Sequence, residues 1–407
     1  MRKILLATTA LAGIAFAGAA QAASPLTVNL GGDVDFLAAN YAAQDHGVAG
    51  KSTNRDFESL YGLNFDISGK SNSGVNYGGV VSLSNAPDIS NLFGYLNQSS
   101  PYLSAGYIYM SGAFGKLQLG DSHGATDIAV GTPTAGEGQV FGRYIDFLNT
   151  TTFAKNFVAG IDGTDHSTNV TYFTPKVGNE NNKVQLGFSY VPQFYNYGSS
   201  AVNNNTNSAG AGSLLATGND LSPYHDVVKG VVAYEGKFAP VAVKASGNVI
   251  TGSSNAIGSD GGWMVNAPTG APVSSFTSWG LGAQAAAEGF TLGGGYTDMG
   301  RYDTVAGQNK DQHTYSAGLT YDFSKASVGV SYLGGEGYSN LLASSAAGGT
   351  GSSANYIKEF NSYGAGGSYT WAPGLTSNLD GVYFDQKSDA SVENKGYVLL
   401  VSQKLTF

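Results

Sequence analysis

The sequence predicts an all-β chain, a transmembrane antiparallel β-barrel of about 16 strands. Three observations carry this prediction. Beyond the N-terminus, apolar and polar residues alternate at period two in segments of about ten residues. Charged residues are only 12% of the 407, about half the usual ~25%, while Tyr and Phe number 25 and 20. After Ala22 no apolar run approaches the roughly 18 residues that a spanning helix needs. A chain that enters a membrane without such a helix satisfies its backbone groups only by closing a barrel.

The N-terminus reads as an export signal. Met1-Arg2-Lys3 is a short basic region, Ile4 to Ala20 is apolar and Ala-rich, and Ala20-Gln21-Ala22 is an A-x-A cleavage site. Residues 1–23 are therefore expected to be a cleaved signal peptide, and 24–407 an outer-membrane barrel. The competing reading, a retained membrane anchor, fits poorly with so short a segment ending in small residues. Losing Arg2 and Lys3 leaves 18 of the 20 Lys+Arg against 29 Asp+Glu, a net charge of −11. That balance argues against nucleic acid as a partner, which calls for clustered Lys and Arg. With no Cys in the chain there is no disulfide framework, thiol nucleophile or thiolate metal site.

The first mature segment places Leu26, Val28, Leu30, Val34 and Phe36 on one parity and Thr27, Asn29, Asp33 and Asp35 on the other. The second places Tyr61, Leu63, Phe65 and Ile67 opposite Glu58, Asn64, Asp66, Ser68 and Lys70. Val184, Leu186, Phe188 and Tyr190 repeat the pattern, as do Tyr315, Leu319, Tyr321 and Phe323. A helical stripe at i, i+3, i+4 does not produce this. Read throughout, the chain yields strands near 26–41, 57–70, 74–85, 102–112, 115–120, 167–174, 183–191 and 225–237. Eight more follow near 241–250, 276–287, 289–299, 313–323, 326–334, 358–371, 375–386 and 394–407.

The connections alternate in length. Short turns fall at Ser71-Asn72-Ser73, Ala113-Phe114, Phe238 to Pro240, Glu288, Ser324-Lys325 and Ala372-Pro373-Gly374. Long polar loops fall at 42–56, 86–101, 121–166, 192–224, 251–275, 300–312 and 335–357. Short periplasmic turns alternating with long external loops is the outer-membrane pattern. All 11 prolines fall in the expected loops, turns or strand ends, as a hydrogen-bonded ladder requires. A large soluble β-sandwich would share period two and Gly-rich turns, but its wet face calls for more charge.

Two internal segments and the C-terminus narrow the reading. Phe114-Gly-Lys-Leu-Gln-Leu-Gly-Asp121 resembles the short fifth strand of the general (trimeric) bacterial porin family, which leads into an inward-folded third loop. Ser167-Thr-Asn-Val-Thr-Tyr-Phe-Thr-Pro175 and Val184-Gln-Leu-Gly-Phe-Ser-Tyr190 resemble the strand pair that follows that loop. The chain ends Tyr397-Val-Leu-Leu-Val-Ser-Gln-Lys-Leu-Thr-Phe407, similar to the terminal strand that closes such barrels and is read by the barrel-assembly machinery through Phe407. Leu405 departs from the commoner aromatic, and Gln403 interrupts the apolar parity.

The resemblance implies a homotrimer in outer-membrane lipid and lipopolysaccharide, with no cofactor. It also implies a water-filled channel for passive diffusion of small hydrophilic solutes and ions. Residues 121–166 would fold into the lumen and set the constriction, with Asp121, Asp127, Glu137, Arg143 and Asp146 as its charged groups. Asp162 and Asp165 against Lys155 add to an acidic excess, so weak cation selectivity is expected. The competing reading is a solvated surface loop. Pore-wall charges by parity are Asp33, Asp35, Glu58, Asp66, Lys116, Lys244 and Lys404; Lys70 and Lys183 share that parity. Arg55, Arg143 and Arg301 are the only arginines of the mature chain, all expected in loops, so no arginine ladder faces the acids.

Tyr61, Tyr77, Tyr190, Tyr296, Tyr321 and Tyr332 have lipid-facing parity and fit interface girdles. The alternative is an aromatic sugar track, which needs lumen-parity aromatics, and few are found. The alternating Gly of 293–295 and 364–367 suit either subunit packing or ordinary barrel curvature. His46, His123, His166, His225 and His313 show no ligand spacing, and no Ser–His–acid arrangement is apparent, so neither an enzyme nor a metal site is expected. Asp162-Gly-Thr-Asp165 and Asp33-Val-Asp35 lack a dedicated Ca²⁺ signature. Two other functions compete: a substrate-specific channel, and a non-channel barrel acting as adhesin or surface antigen through its long loops.

Overall fold

The computed structural model describes residues 26–43, 54–86, 102–148, 167–193, 224–254, 274–302, 304, 311–338, 356–389 and 393–407. The expected signal peptide, Lys155, Asp162, Asp165 and most of the long-loop interiors lie outside these residues.

The strands are β1 (Thr27–Ala43), β2 (Arg55–Lys70), β3 (Asn76–Ser84), β4 (Tyr102–Gly112), β5 (Gly115–Asp121) and β6 (Thr168–Phe173). Next come β7 (Val177–Gly178), β8 (Asn182–Gln193), β9 (Tyr224–Phe238), β10 (Val241–Ser254), β11 (Phe276–Ala287) and β12 (Phe290–Asp298). The last are β13 (His313–Asp322), β14 (Ala326–Tyr338), β15 (Tyr356–Ala372), β16 (Leu375–Ser388) and β17 (Glu393–Thr406). All pair antiparallel with their neighbours in one sheet that closes on itself. β6 and β7 both pair with β8, so they are halves of one barrel strand and the barrel has 16. Their break has a local cause. Thr174 still donates its N–H to Leu186 O at 2.9 Å, and the next residue, Pro175, has none to give.

Each of the 16 expected segments is a strand, but many run further toward the long-connection end. β10 continues to Ser254 and β14 to Tyr338. Two expectations are corrected by this. Arg55 opens β2 and is not in a loop. Pro192 lies inside β8, where Val191 opposes Val227, Gln193 opposes His225 and Asp226 between them has φ 51°. No regular ladder bond is demanded of Pro192 at that irregularity.

The opposite end carries the short turns. Glu288-Gly289 links β11 to β12 with φ of 51° and 86°, a mirror-image hairpin turn in which glycine sits without steric cost. Closure is made by β1 against β17, with Asp33 opposite Thr406 and Ala43 opposite Gly396. Gly32 and Phe407 then exchange both backbone hydrogen bonds at 3.0 Å. Phe407 is thus paired, and β1 and β17 leave no open edge at the closure.

The outer face is apolar, with Val28, Leu281, Leu292, Leu379 and Val401 exposed. Aromatic rings band it at two levels. Trp279–Tyr296 and Tyr332–Tyr363 sit 5.3 and 5.0 Å apart toward the long-connection end. Phe290–Tyr321 and Tyr369–Trp371 sit 4.3 and 4.7 Å apart toward the short turns.

The inner face departs from simple polar lining. Leu37, Leu60, Leu333, Phe360, Val382, Phe384, Val398 and Leu400 point inward and are buried in one cluster with Val140, Tyr144, Ile145 and Phe147 of the β5–β6 connection. Aromatics of inward parity are therefore more numerous than expected, but these lie in a dry cluster and form no wet track. Each such side chain contributes about 1.5–3 kcal/mol of burial. The run Tyr397 to Val401 is apolar on both parities for this reason: its outer face meets lipid and its inner face meets the connection.

Candidate functional site

The third long connection leaves β5 and turns into the barrel. It carries short 3₁₀ turns at Gly124–Ile128, Gln139–Phe141 and Arg143–Phe147. Its backbone is fastened to the inner wall strand by strand. Ala125 N–H donates to Ser189 Oγ of β8 at 2.6 Å, and Val130 N–H to Ser246 Oγ of β10 at 2.7 Å. Gln284 Nε2 of β11 donates to Gly131 O at 2.8 Å, and the Thr132 and Ser316 hydroxyls meet at 2.6 Å on β13. Gln139 donates from Nε2 to Gly329 O of β14 at 2.6 Å and from its N–H to Asp380 Oδ2 of β16 at 2.8 Å. Tyr144 is buried with its hydroxyl 3.4 Å from Ser362 Oγ of β15, and burial holds its proton well above the usual tyrosine range.

Glycines of the wall make room for this course. A Cβ on Gly282 would stand 1.9 Å from Val130 O, one on Gly318 2.2 Å from Pro133 O, and one on Gly364 2.8 Å from Gln139 Cβ. A Cβ on Gly293 would stand 2.9 Å from Pro133 Cδ. Gly293 and Gly364 thus face the inward loop and leave space for its backbone.

The charged residues expected at the constriction divide into distinct settings. Asp121 is buried at the end of β5 and accepts a hydrogen bond from the Thr168 hydroxyl. Glu137 accepts from Asn378 Nδ2 of β16 and Ser402 Oγ of β17. Arg143 and Asp146 pair with each other at 3.3 Å. Asp127 is exposed on the loop's inner side. On the wall, Asp33 of β1 pairs with Lys404 of β17 at 3.5 Å. Asp35 is buried within electrostatic reach of Glu137 and Lys404. Glu58 stands opposite Leu37 on the inner face of β2. Lys116 of β5 lies 5.3 Å from the centroid of the Tyr109 ring on β4.

The loop's turns pack on β6, β8, β9, β14 to β17 and β1. Tyr107 of β4 lies within electrostatic reach of Asp127 from the loop and Asp66 from the wall. Neither Asp127 nor Asp66 has a hydrogen-bonded or ion-pair partner among the described residues. Beneath the loop, toward the short turns, a recess of about 310 Å³ lies between residues 127–131 and the inner faces of β8 to β11. Lys176, Lys183, Glu235 and Lys244 line it.

Four residues that hold or underlie the loop were not singled out by the sequence: Asn378, Asp380, Ser402 and Lys229. Lys229 is fully buried on β9 and donates to His123 O at 3.0 Å. Their signal was available, since each is a polar residue of inward parity on a strand. Among the described residues no group of three or more His, Asp or Glu is placed to hold a metal ion.

A closed membrane barrel with an inner face this polar, narrowed by its own third connection, defines the class of channel-forming outer-membrane proteins. The chain belongs to the Gram-negative porin family, whose model matches residues 7–389. Among solved structures it is similar to OmpT of Vibrio cholerae in its loop L8 deletion form, at 13% identity and TM-score 0.55, covering 94% of this chain and 100% of that one. In-vitro folded OmpT in its trimer form matches at 12% identity and TM-score 0.54, with 94% and 100% coverage. A porin refined at 1.8 Å matches at 16% identity and TM-score 0.50, with the same coverage of 94% and 100%. At these identities the likeness is one of fold. No curated protein matches the chain.

Proposed function

We propose that this porin is a water-filled passage for passive diffusion of small hydrophilic solutes and ions, weakly cation-selective and without cofactor or chemical step. One observation carries the selectivity. Asp127 of the loop and Asp66 of the wall both lie within electrostatic reach of Tyr107, each without a partner among the described residues, whereas Asp121, Glu137 and Asp146 are engaged. Unpaired carboxylates in a narrow aqueous gap with low-dielectric walls concentrate cations. Export after cleavage within residues 20–23, assembly through the terminal strand at Phe407, and a homotrimer in lipid and lipopolysaccharide complete the reading. The trimer form of OmpT supports the last of these.

The test is single-channel recording of purified, folded protein in a planar bilayer under a salt gradient. Steps arriving in threes, with a reversal potential of cationic sign, are expected. Silence from protein that still shows heat-modifiable folding would overturn the channel and favour an adhesin or surface antigen. Steps of anionic sign would overturn the acidic gap alone.

A further inference from the structure

The recess beneath the loop has a charge pattern that ion diffusion does not require. Lys176 reaches both carboxylate oxygens of Glu235 at 2.8 Å, so these two neutralise each other. Lys183 of β8 and Lys244 of β10 are near enough to act on the same carboxylate. Neither has a hydrogen-bonded or ion-pair partner among the described residues, and both are exposed. Asp127, on the loop that roofs the recess, completes the lining with one unpaired negative charge.

The roof is fixed on both sides of Asp127. Ala125 is held by Ser189 at 2.6 Å, Val130 by Ser246 at 2.7 Å and Gly131 by Gln284 at 2.8 Å. The charges therefore line one recess whose roof is held in place. Its volume of about 310 Å³ falls at the small end of ligand sites.

We propose that this recess is a docking site for an acidic amino acid. Two carboxylates of the solute meet Lys183 and Lys244, and its ammonium meets Asp127. The charge count selects this class: two unpaired cations below and one unpaired anion above match a solute carrying two anions and one cation. A neutral sugar leaves all three charges unanswered, and a plain dicarboxylate leaves Asp127 facing an anion. The roof is in place before binding, but two exposed lysine side chains are ordered on it, so a weak, fast site suited to passage results. The proposal rests on the channel reading above and names its solute.

The test is wild-type single-channel recording in potassium chloride with glutamate added on the short-turn side. Glutamine and glutarate, tested the same way, are the controls of similar size. Concentration-dependent interruptions of the open current are expected with glutamate. They should be weaker by at least about tenfold with either control, each of which lacks one charged contact. Lys183→Gln with Lys244→Gln should remove the interruptions. Asp127→Asn should make glutarate as effective as glutamate. If open channels show no more interruption with glutamate than with glutamine, or the double lysine variant interrupts as the wild type does, the site is overturned. Absence of any conductance would instead overturn the channel reading, so the two failures are distinguishable.

Discussion

The carboxylate of Glu137 accepts a hydrogen bond from the hydroxyl of Ser402, a residue 265 positions later in the chain. Asn378, 241 positions from Glu137, donates to the same oxygen. The loop tip is thereby fixed to the two strands that precede barrel closure. Removing the acceptor strands two donors on the inner wall, at about 1–3 kcal/mol. Glu137→Ala is expected to lower the urea midpoint of vesicle-embedded protein and to raise open-channel noise. Glu137→Gln keeps one acceptor oxygen, and its effect on both should be smaller.

Glycine 318 tests the seating of the loop. A Cβ there would stand 2.2 Å from Pro133 O, whereas one on Gly230 meets nothing nearer than Val249 Cγ1 at 3.6 Å. Gly318→Val should displace the loop, cost about 1–3 kcal/mol and change the single-channel conductance. Gly230→Ala should leave conductance unchanged.

The dry inner cluster is a second source of stability beside the ladder. Phe384 is fully buried within it, on the inner face of β16. Phe384→Ala should cost about 3–5 kcal/mol, read as an earlier loss of the heat-modifiable folded band. An equal loss from truncating exposed Leu379 on the same strand would show that the cluster adds nothing.

Selectivity should follow the unpaired acids. Asp127→Asn combined with Asp66→Asn is expected to shift the reversal potential toward zero in a salt gradient. Asp121→Asn should leave it unchanged, because that buried carboxyl is engaged by Thr168. A shift from Asp121→Asn as large as that from the pair would reassign the selectivity.

Much of the fold was legible in the sequence because lipid and water impose opposite demands on alternate residues. Val28, Leu30, Asp33 and Asp35 announce their faces without reference to anything else in the chain. The same logic failed where the inner face is dry. Val398 and Leu400 are inward yet apolar, because their neighbours there are Tyr144, Ile145 and Phe147, which period-two reading cannot place. The inward course of the third connection was legible from its position after the short fifth strand, as the hydrogen bonds of residues 125–139 to the wall show. Which acids are spent on holding the loop was not legible, since the partners of Glu137 and Gln139 lie 190 or more positions away. Gly293 and Gly364 show the same limit. The sequence left them open between subunit packing and ordinary barrel curvature, and it is the loop that approaches them.

The described part of the connection along the inner wall is residues 122–148, yet most of the wall it lies on is made of strands that come later in the chain. Its resting place is therefore complete only when those later strands are in the sheet. Such distant contacts are slow to form. Without β10 to β17 the segment has no wall to lie on. The last strand belongs to two structures at once, since it pairs with β1 and holds Glu137 through Ser402. An intermediate stalled before β16 would present a greasy, untethered strip to the membrane or to its chaperones.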